Sequence, residues 1–248
     1  MKFTKAAVAL FTVSILAVAC SSDAKTEDPM ATKTSTGDST SSMSAGQADR
    51  ASLALVRFVN AVPASASLIV RADSAHVMPG VAYKEVTPFQ ALDKTWVKFE
   101  VGGMNNGPFM ALATNREMLM DGNRYTMILM RDKAGTGYDT RVLKDNISSD
   151  SMQAHLRIVH AAAGFETVNV SAKGGASLMD GVSFQTESSF KDVIPWTGTV
   201  EIRSDKGKQV LLSIPNVALT AGSANTIVLT RTAAGKVESF WFVDKPMH

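Results

Sequence analysis

His160 closes the apolar run "HLRIVH" and is the histidine best placed for chemistry. A side chain at the end of a strand can fold back over the following turn. Two roles suit it there: a metal ligand or proton carrier, or a hydrogen bond that pins the loop. A metal site usually takes three or four ligands. His155 lies five residues back, on the opposite face of the same run, and cannot chelate with it. Methionine gathers in the first half, at Met78, Met104, Met110, Met118, Met120, Met127 and Met130. Met118 and Met120 fall on one strand face, and paired thioethers suit Cu(I). The opposing reading is that methionine fills irregular core gaps. Asp145, Asn146 and Asp150 bear oxygens near the middle of the chain, where calcium could sit. Three such side chains fall short of a calcium shell, and a solvated polar linker explains them as well. Trp96, Trp196 and Trp241 could form a sugar platform or serve as core anchors.

No nucleophile elbow, zinc-binding H-E-x-x-H, phosphate-cradling glycine loop or dinucleotide glycine pattern occurs. A non-catalytic protein without a cofactor is the expectation. Charge narrows the partners further. The chain has 25 basic and 23 acidic residues. Without Lys2 and Lys5, 23 of each remain. Nucleic acid and electrostatic attachment to anionic lipid both call for a basic excess.

The single cysteine, Cys20, follows Lys2, Lys5 and the uncharged apolar stretch Ala6 to Ala19. That stretch is too short to span a bilayer and has the length of a signal-peptide core. "LAVAC" resembles a bacterial lipobox, with Ala17 where a branched residue is more usual. The resemblance implies cleavage before Cys20 and acylation of its thiol, palmitate among the chains. An ordinary cleavable signal is the other reading of the A-x-A end. Ser21 implies outer-membrane sorting if the source is Gram-negative. Residues 1–19 then form a signal peptide and 20–50 a lipidated, disordered tether. The tether is too rich in Ser, Thr, Asp and Gly to offset its ordering entropy. It would span roughly 30 Å as a coil and about 100 Å at full stretch.

The elements that must hold any site come in two copies. Arg57 matches Arg157 at an offset of 100, as do Val59 and Val159, Thr126 and Thr226, and Arg131 and Arg231. Gly80 with Gly181, Phe89 with Phe190 and Glu100 with Glu201 match at 101, while Trp96 and Trp196 align at 100. A period of this size is a whole domain, not a solenoid unit. "TVEIR" and "WVKFEV" alternate, whereas "YTMILMR" and "NTIVLTR" are continuous apolar runs suited to strands covered on both faces. Asp121-Gly122 and Asp180-Gly181 signal hairpins. About seven strands per copy predict an all-β protein of two tandem immunoglobulin-like β-sandwiches, at 51–149 and 150–248.

His160-Ala161, Val168-Asn169-Val170 and Gly174 follow the strand–H-A–V-D-V–G pattern of the bacterial domain-of-unknown-function family 4397. Asn60-Ala61-Val62-Pro63, "GVAYKEV" and "IPWTGTVEIR" resemble its other motifs. The resemblance implies an exported tandem β-sandwich and no settled activity. Ala64 and Gly164 replace the family's acidic residue, and the first copy lacks the histidine. Binding is therefore expected from the loops after the first strand of each copy: Pro63, Ala64 and Ser65 in one, His160, Gly164, Phe165 and Glu166 in the other. The expected function is a membrane-anchored, extracytoplasmic binding or scaffolding lipoprotein. Its partner would be a protein or another cell-envelope component, and it would face the periplasm or the cell surface. The alternative is a periplasmic small-ligand or metal-binding protein, with Met118, Met120, Asp145 and Asp150 as weak candidates for copper or calcium.

Overall fold

The structure, a computed structural model, describes residues 53–63, 65, 67–73, 76–104, 107–147, 152–205 and 209–244. Every described regular element is a strand. The first copy comprises β1 (Ala54–Asn60), β2 (Leu68–Ala72), β3 (His76–Val81), β4 (Gln90–Leu92), β5 (Trp96–Met104), β6 (Phe109–Met118), β7 (Arg124–Arg131) and β8 (Tyr138–Lys144). The second comprises β9 (Ala154–His160), β10 (Thr167–Ala172), β11 (Ser177–Ser183), β12 (Lys191–Val193), β13 (Trp196–Ser204), β14 (Val210–Leu219), β15 (Ala224–Arg231) and β16 (Val237–Asp244). Among the described residues each copy thus has eight strands, where the turn spacing predicts about seven. The short β4 and β12, three residues each, are easily missed by pattern.

Each copy is a sandwich of two four-stranded sheets. The orders are β4-β1-β7-β8 over β3-β2-β5-β6, and β12-β9-β15-β16 over β11-β10-β13-β14. β1 runs parallel to β7 and β9 parallel to β15, while the other strand pairs are antiparallel. Inside the first sandwich, Val56, Phe58, Val70, Phe99, Met127 and Leu129 interlock. Inside the second, Leu156, Ile158, Val170, Ile202, Ile227 and Leu229 do the same.

A third core lies between the copies. Val59, Ala61, Ile128, Met130 and Leu143 of the first pack with Val159, Ala161 and Val228 of the second, and Phe240 and Phe242 close over them. The inter-copy faces of the two β1-type sheets therefore bury each other. This explains the continuous apolar runs. Along β7, Met127 and Leu129 enter the sandwich core, while Ile128 and Met130 enter the inter-copy core.

The contact is reciprocal, as in an isologous dimer interface. Arg57 donates to Asp244 through Nη1 at 2.8 Å and Nη2 at 2.6 Å. Arg157 donates to Asp145 at 2.7 Å. The two aspartates are structural counterparts: Asp145 N–H bonds the Arg124 carbonyl, and Asp244 pairs with Ala224, the residue equivalent to Arg124. Each guanidinium also donates to the threonine of its own copy, Arg57 to Thr126 at 2.7 Å and Arg157 to Thr226 at 3.1 Å. Each lies over its own copy's phenylalanine, Arg57 on Phe89 and Arg157 on Phe190. Thr126 completes the cluster by donating to Asp145. The repeated Arg, Phe and Thr of the sequence thus build one buried, charge-balanced seam. Asp145 is 6 % exposed and inside this seam, which corrects its reading as part of a solvated linker.

Candidate functional site

The loops after β1 and β9 reach the same end of the molecule, where both copies contribute side chains. Each loop is held by the last residue of its strand. In the first copy Asn60 Oδ1 accepts the Val62 N–H at 3.0 Å, and its amide donates to Ser65 Oγ and the Val81 carbonyl. In the second copy His160 Nδ1 accepts the Ala162 N–H at 3.3 Å. The imidazole is fully buried, edge-on to Phe184. Burial pushes its pKa down to about 4, with the Phe165 backbone partly offsetting the fall. It is neutral at ordinary pH and acts as a turn pin, the work done by Asn60 in the other copy. Ser65 is similarly committed, donating to the Val62 carbonyl. Ala64 lies outside the described residues.

Gly164 and Glu166 are exposed, and Phe165 between them is half-buried against the second core. With Thr167, Ser183, Phe184 and Gln185 they form one wall of a cavity of about 590 Å³. Lys133 and Arg141 of the first copy form the other. A second cavity of about 500 Å³ follows along Ala163, with Pro63, Arg131 and Arg231 in its lining. Four cationic side chains and one carboxylate, Glu166, line the two. Several are held in place. Arg231 donates to the Ala163 carbonyl at 3.0 Å and the Gly235 carbonyl at 2.8 Å. Gly164 has φ +90°, a backbone conformation that strains any other residue, and a Cβ there would also displace the Arg231 guanidinium, 2.3 Å away at Nη1. Arg141 Nε donates to the Gln185 carbonyl at 2.8 Å, and the Gln185 amide returns to the Arg131 carbonyl and Asp139.

The reciprocal crossing on the other side is closed by its own side chains. Tyr83 OH donates to Glu238 at 2.6 Å and meets Thr230 at 2.7 Å, while Lys84 Nζ donates to Glu238 at 2.7 Å. Burial and the Glu238 carboxylate hold the Tyr83 phenol well above its ordinary pKa. Burial opposes ionisation of Glu238, but the bonds from Lys84 and Tyr83 outweigh it and lower its pKa. In register, Phe240 stands where the open side has Arg141. Ala233 stands where it has Lys133.

One family's sequence profile matches the chain twice, over residues 54–171 and 154–248. The chain belongs to the family described as Domain of unknown function (DUF4397). The overlapping matches cover both sandwiches, so the DUF4397 unit is present in tandem. A crystal structure of a candidate cell adhesion protein from Bacteroides uniformis shares 12 % identity. The alignment covers 80 % of this chain and 99 % of that one, with a TM-score of 0.23. No curated protein matches the chain in sequence.

The remaining candidates of this DUF4397 pair do not converge on the loop end. Met127 and Met130 are core, but Met118 and Met120 are 45 % and 53 % exposed, so the core-filler reading fails for them. Asp145 is neutralised by Arg57 and Arg157. Asp150 and Cys20 lie outside the described residues. The tryptophans separate as well. Trp96 pairs with Met118, but Trp196 pairs with Leu219, the counterpart of Leu119. They are therefore one strand position apart and point to opposite faces. Trp196 packs on the core with its ring over Gly198, whereas Trp96 is 67 % exposed. Core anchoring is thus wrong for Trp96. Sequence reading also missed Lys133, Arg141 and Gln185. The available signal was the cation-bearing hairpin "RDKAGTG", but which loop it would face depends on how the copies pack.

Proposed function

We propose that this chain is a non-catalytic binding module of the cell envelope. Lipid on Cys20 anchors it to a membrane outside the cytoplasm, and the loop end of the paired sandwiches engages an acidic protein or envelope partner. One observation carries the reading: four cationic side chains from both copies line two adjoining cavities at the end where the loops after β1 and β9 meet. A rigid scaffold with binding loops at its end is a common use of sandwich folds. The open cavity has the size of a ligand-binding cleft.

Retention on isolated envelopes of the full chain carrying Cys20→Ser, so that no acyl chain holds it there, tests the loop end. Lys133→Glu should reduce retention about tenfold, the scale of one lost charge-assisted contact. Lys173→Glu, on an exposed turn after β10, should leave it unchanged. Equal retention of all three proteins would end the reading. Metabolic labelling with a palmitate analogue tests the anchor, and Cys20→Ser should abolish the label.

A further inference from the structure

Trp96 opens β5, shortly after Leu92, and Leu92 pairs with Ala54 at the start of β1. The outer face around Trp96 therefore lies at the end of the sandwich away from the loop after β1. Asp73, Trp96, Val97, Lys98 and Arg116 line a cavity of about 350 Å³ there. Trp96 is 67 % exposed, so one indole face meets solvent. Asp73 is clamped to the backbone of Lys98. Its N–H donates to the Lys98 carbonyl at 2.9 Å, and its Oδ1 accepts the Lys98 N–H at 2.9 Å. Chiefly that second bond holds its carboxyl below the usual carboxylate range. In the second copy the Lys173 N–H makes the same backbone bond, to the Thr199 carbonyl at 2.9 Å. Lys173 thus stands for Asp73 and Thr199 for Lys98. Thr197, opposite Ala218, stands for Trp96, opposite Met118. The sandwich forms with Lys, Thr and Thr at these places, so packing does not call for the side chains around the cavity.

We propose that this cavity binds a carboxylated saccharide, with the sugar ring on Trp96, its hydroxyls on Asp73 and its carboxylate on Arg116. The negative face of an indole attracts the weakly positive C–H bonds that line one side of a pyranose. Asp73 Oδ2 accepts from Lys94 Nζ at 3.3 Å, and an ionised carboxylate keeps further lone pairs for hydroxyl donors. The local charges leave one cation over. Lys94 is matched by Asp73, and Lys98 Nζ donates to Glu100 at 2.6 Å. Arg116, in register with Lys98, has no hydrogen-bond partner among the described residues and lies close enough to stabilise the Asp73 charge. A planar guanidinium left in this way takes a carboxylate in a bidentate pair. A wholly apolar ligand would strip water from these charges and leave them unpaired. A nucleic acid would meet Asp73 and Glu100 on a chain without a basic excess. The site is at the other end of the first sandwich from the loops and does not depend on the loop-end reading.

The test titrates the full chain carrying Cys20→Ser by calorimetry with trigalacturonate, a hyaluronate tetrasaccharide and the neutral maltotriose. At least one carboxylated sugar should bind, and maltotriose should bind about tenfold more weakly or not at all. Trp96→Ser should weaken the carboxylated ligand about tenfold. Arg116→Gln should do the same and abolish the preference over maltotriose. Trp241→Ser, at an exposed tryptophan of the second copy, and Lys133→Glu should keep the parent affinity. No binding of either carboxylated sugar, equal affinity for maltotriose, or full affinity in Trp96→Ser overturns the proposal. So does tighter binding of hexathymidylate, which would assign the indole to a nucleobase. None of these results bears on Lys133-dependent envelope retention, so the two readings fail separately.

Discussion

The two sandwiches share one plan and meet by reciprocal contacts, yet the two crossings at the loop end differ. On one side Tyr83 and Lys84 reach Glu238, and Phe240 packs beneath. On the other, Phe184 and Gln185 stand at the same turn, but Arg141 and Lys133 leave a cavity of about 590 Å³. The turn backbone is the same in both, with Lys84 at φ 67° and Gln185 at φ 60°. A strained left-handed residue there is consequently a feature of the fold, and its presence says nothing of function. The side chains around it decide which crossing is filled. After duplication, a contact needed for assembly can be kept on one side while the other is freed for binding.

The seam opposite the loop end gives the largest expected effect. Arg57→Ala and Arg157→Ala should each destabilise the chain by about 2–4 kcal/mol, because Arg57→Ala strips the half-buried Asp244 and Arg157→Ala leaves the buried Asp145 only its longer pairing to Arg57. Chemical denaturation would show it, and one silent variant would break the reciprocity. Next comes the pin at His160. Its ordinary pKa of 6.5 falls to about 4 in the folded chain. Between those values the unfolded state binds the proton first. Stability is therefore complete above pH 6.5 and declines as pH falls toward 4, by on the order of 3 kcal/mol. His160→Asn, which copies the first sandwich, should flatten that decline in a pH series of thermal melts. A smaller contrast separates the tryptophans: Trp196→Ser should cost about 1–2 kcal/mol and Trp96→Ser less than about 0.5 kcal/mol. Equal losses would refute the one-position difference in register. The smallest effect probes the closed crossing. Glu238→Gln should cost about 1 kcal/mol, given the partial exposure of its ion pair. Asp139→Asn on the open side should cost close to nothing.

Much of the fold is legible in local pattern. Alternation in "TVEIR" and the filled runs of β7 and β15 follow from a period of two and from burial on one or both faces. The repeat of Arg57, Phe89 and Thr126 as Arg157, Phe190 and Thr226 was equally plain, though not its purpose. The same alignment misled at the tryptophans. A shift of one residue is trivial in an alignment, but in a strand it moves a side chain from core to solvent. The candidate loops were partly legible. Gly164 to Glu166 line the open cavity, whereas Ser65 is spent on pinning its own turn.

What the sequence determined by itself was the duplication and the all-β character of each unit, because strand periodicity and turn chemistry act over a few residues. Which faces of the two copies bury each other was decided only in three dimensions. So were the pairing of Arg57 with Asp244 across 187 positions and that of Arg141 with Gln185 across 44. Those contacts depend on how two finished sheets fit together, and no local pattern in the chain encodes that fit.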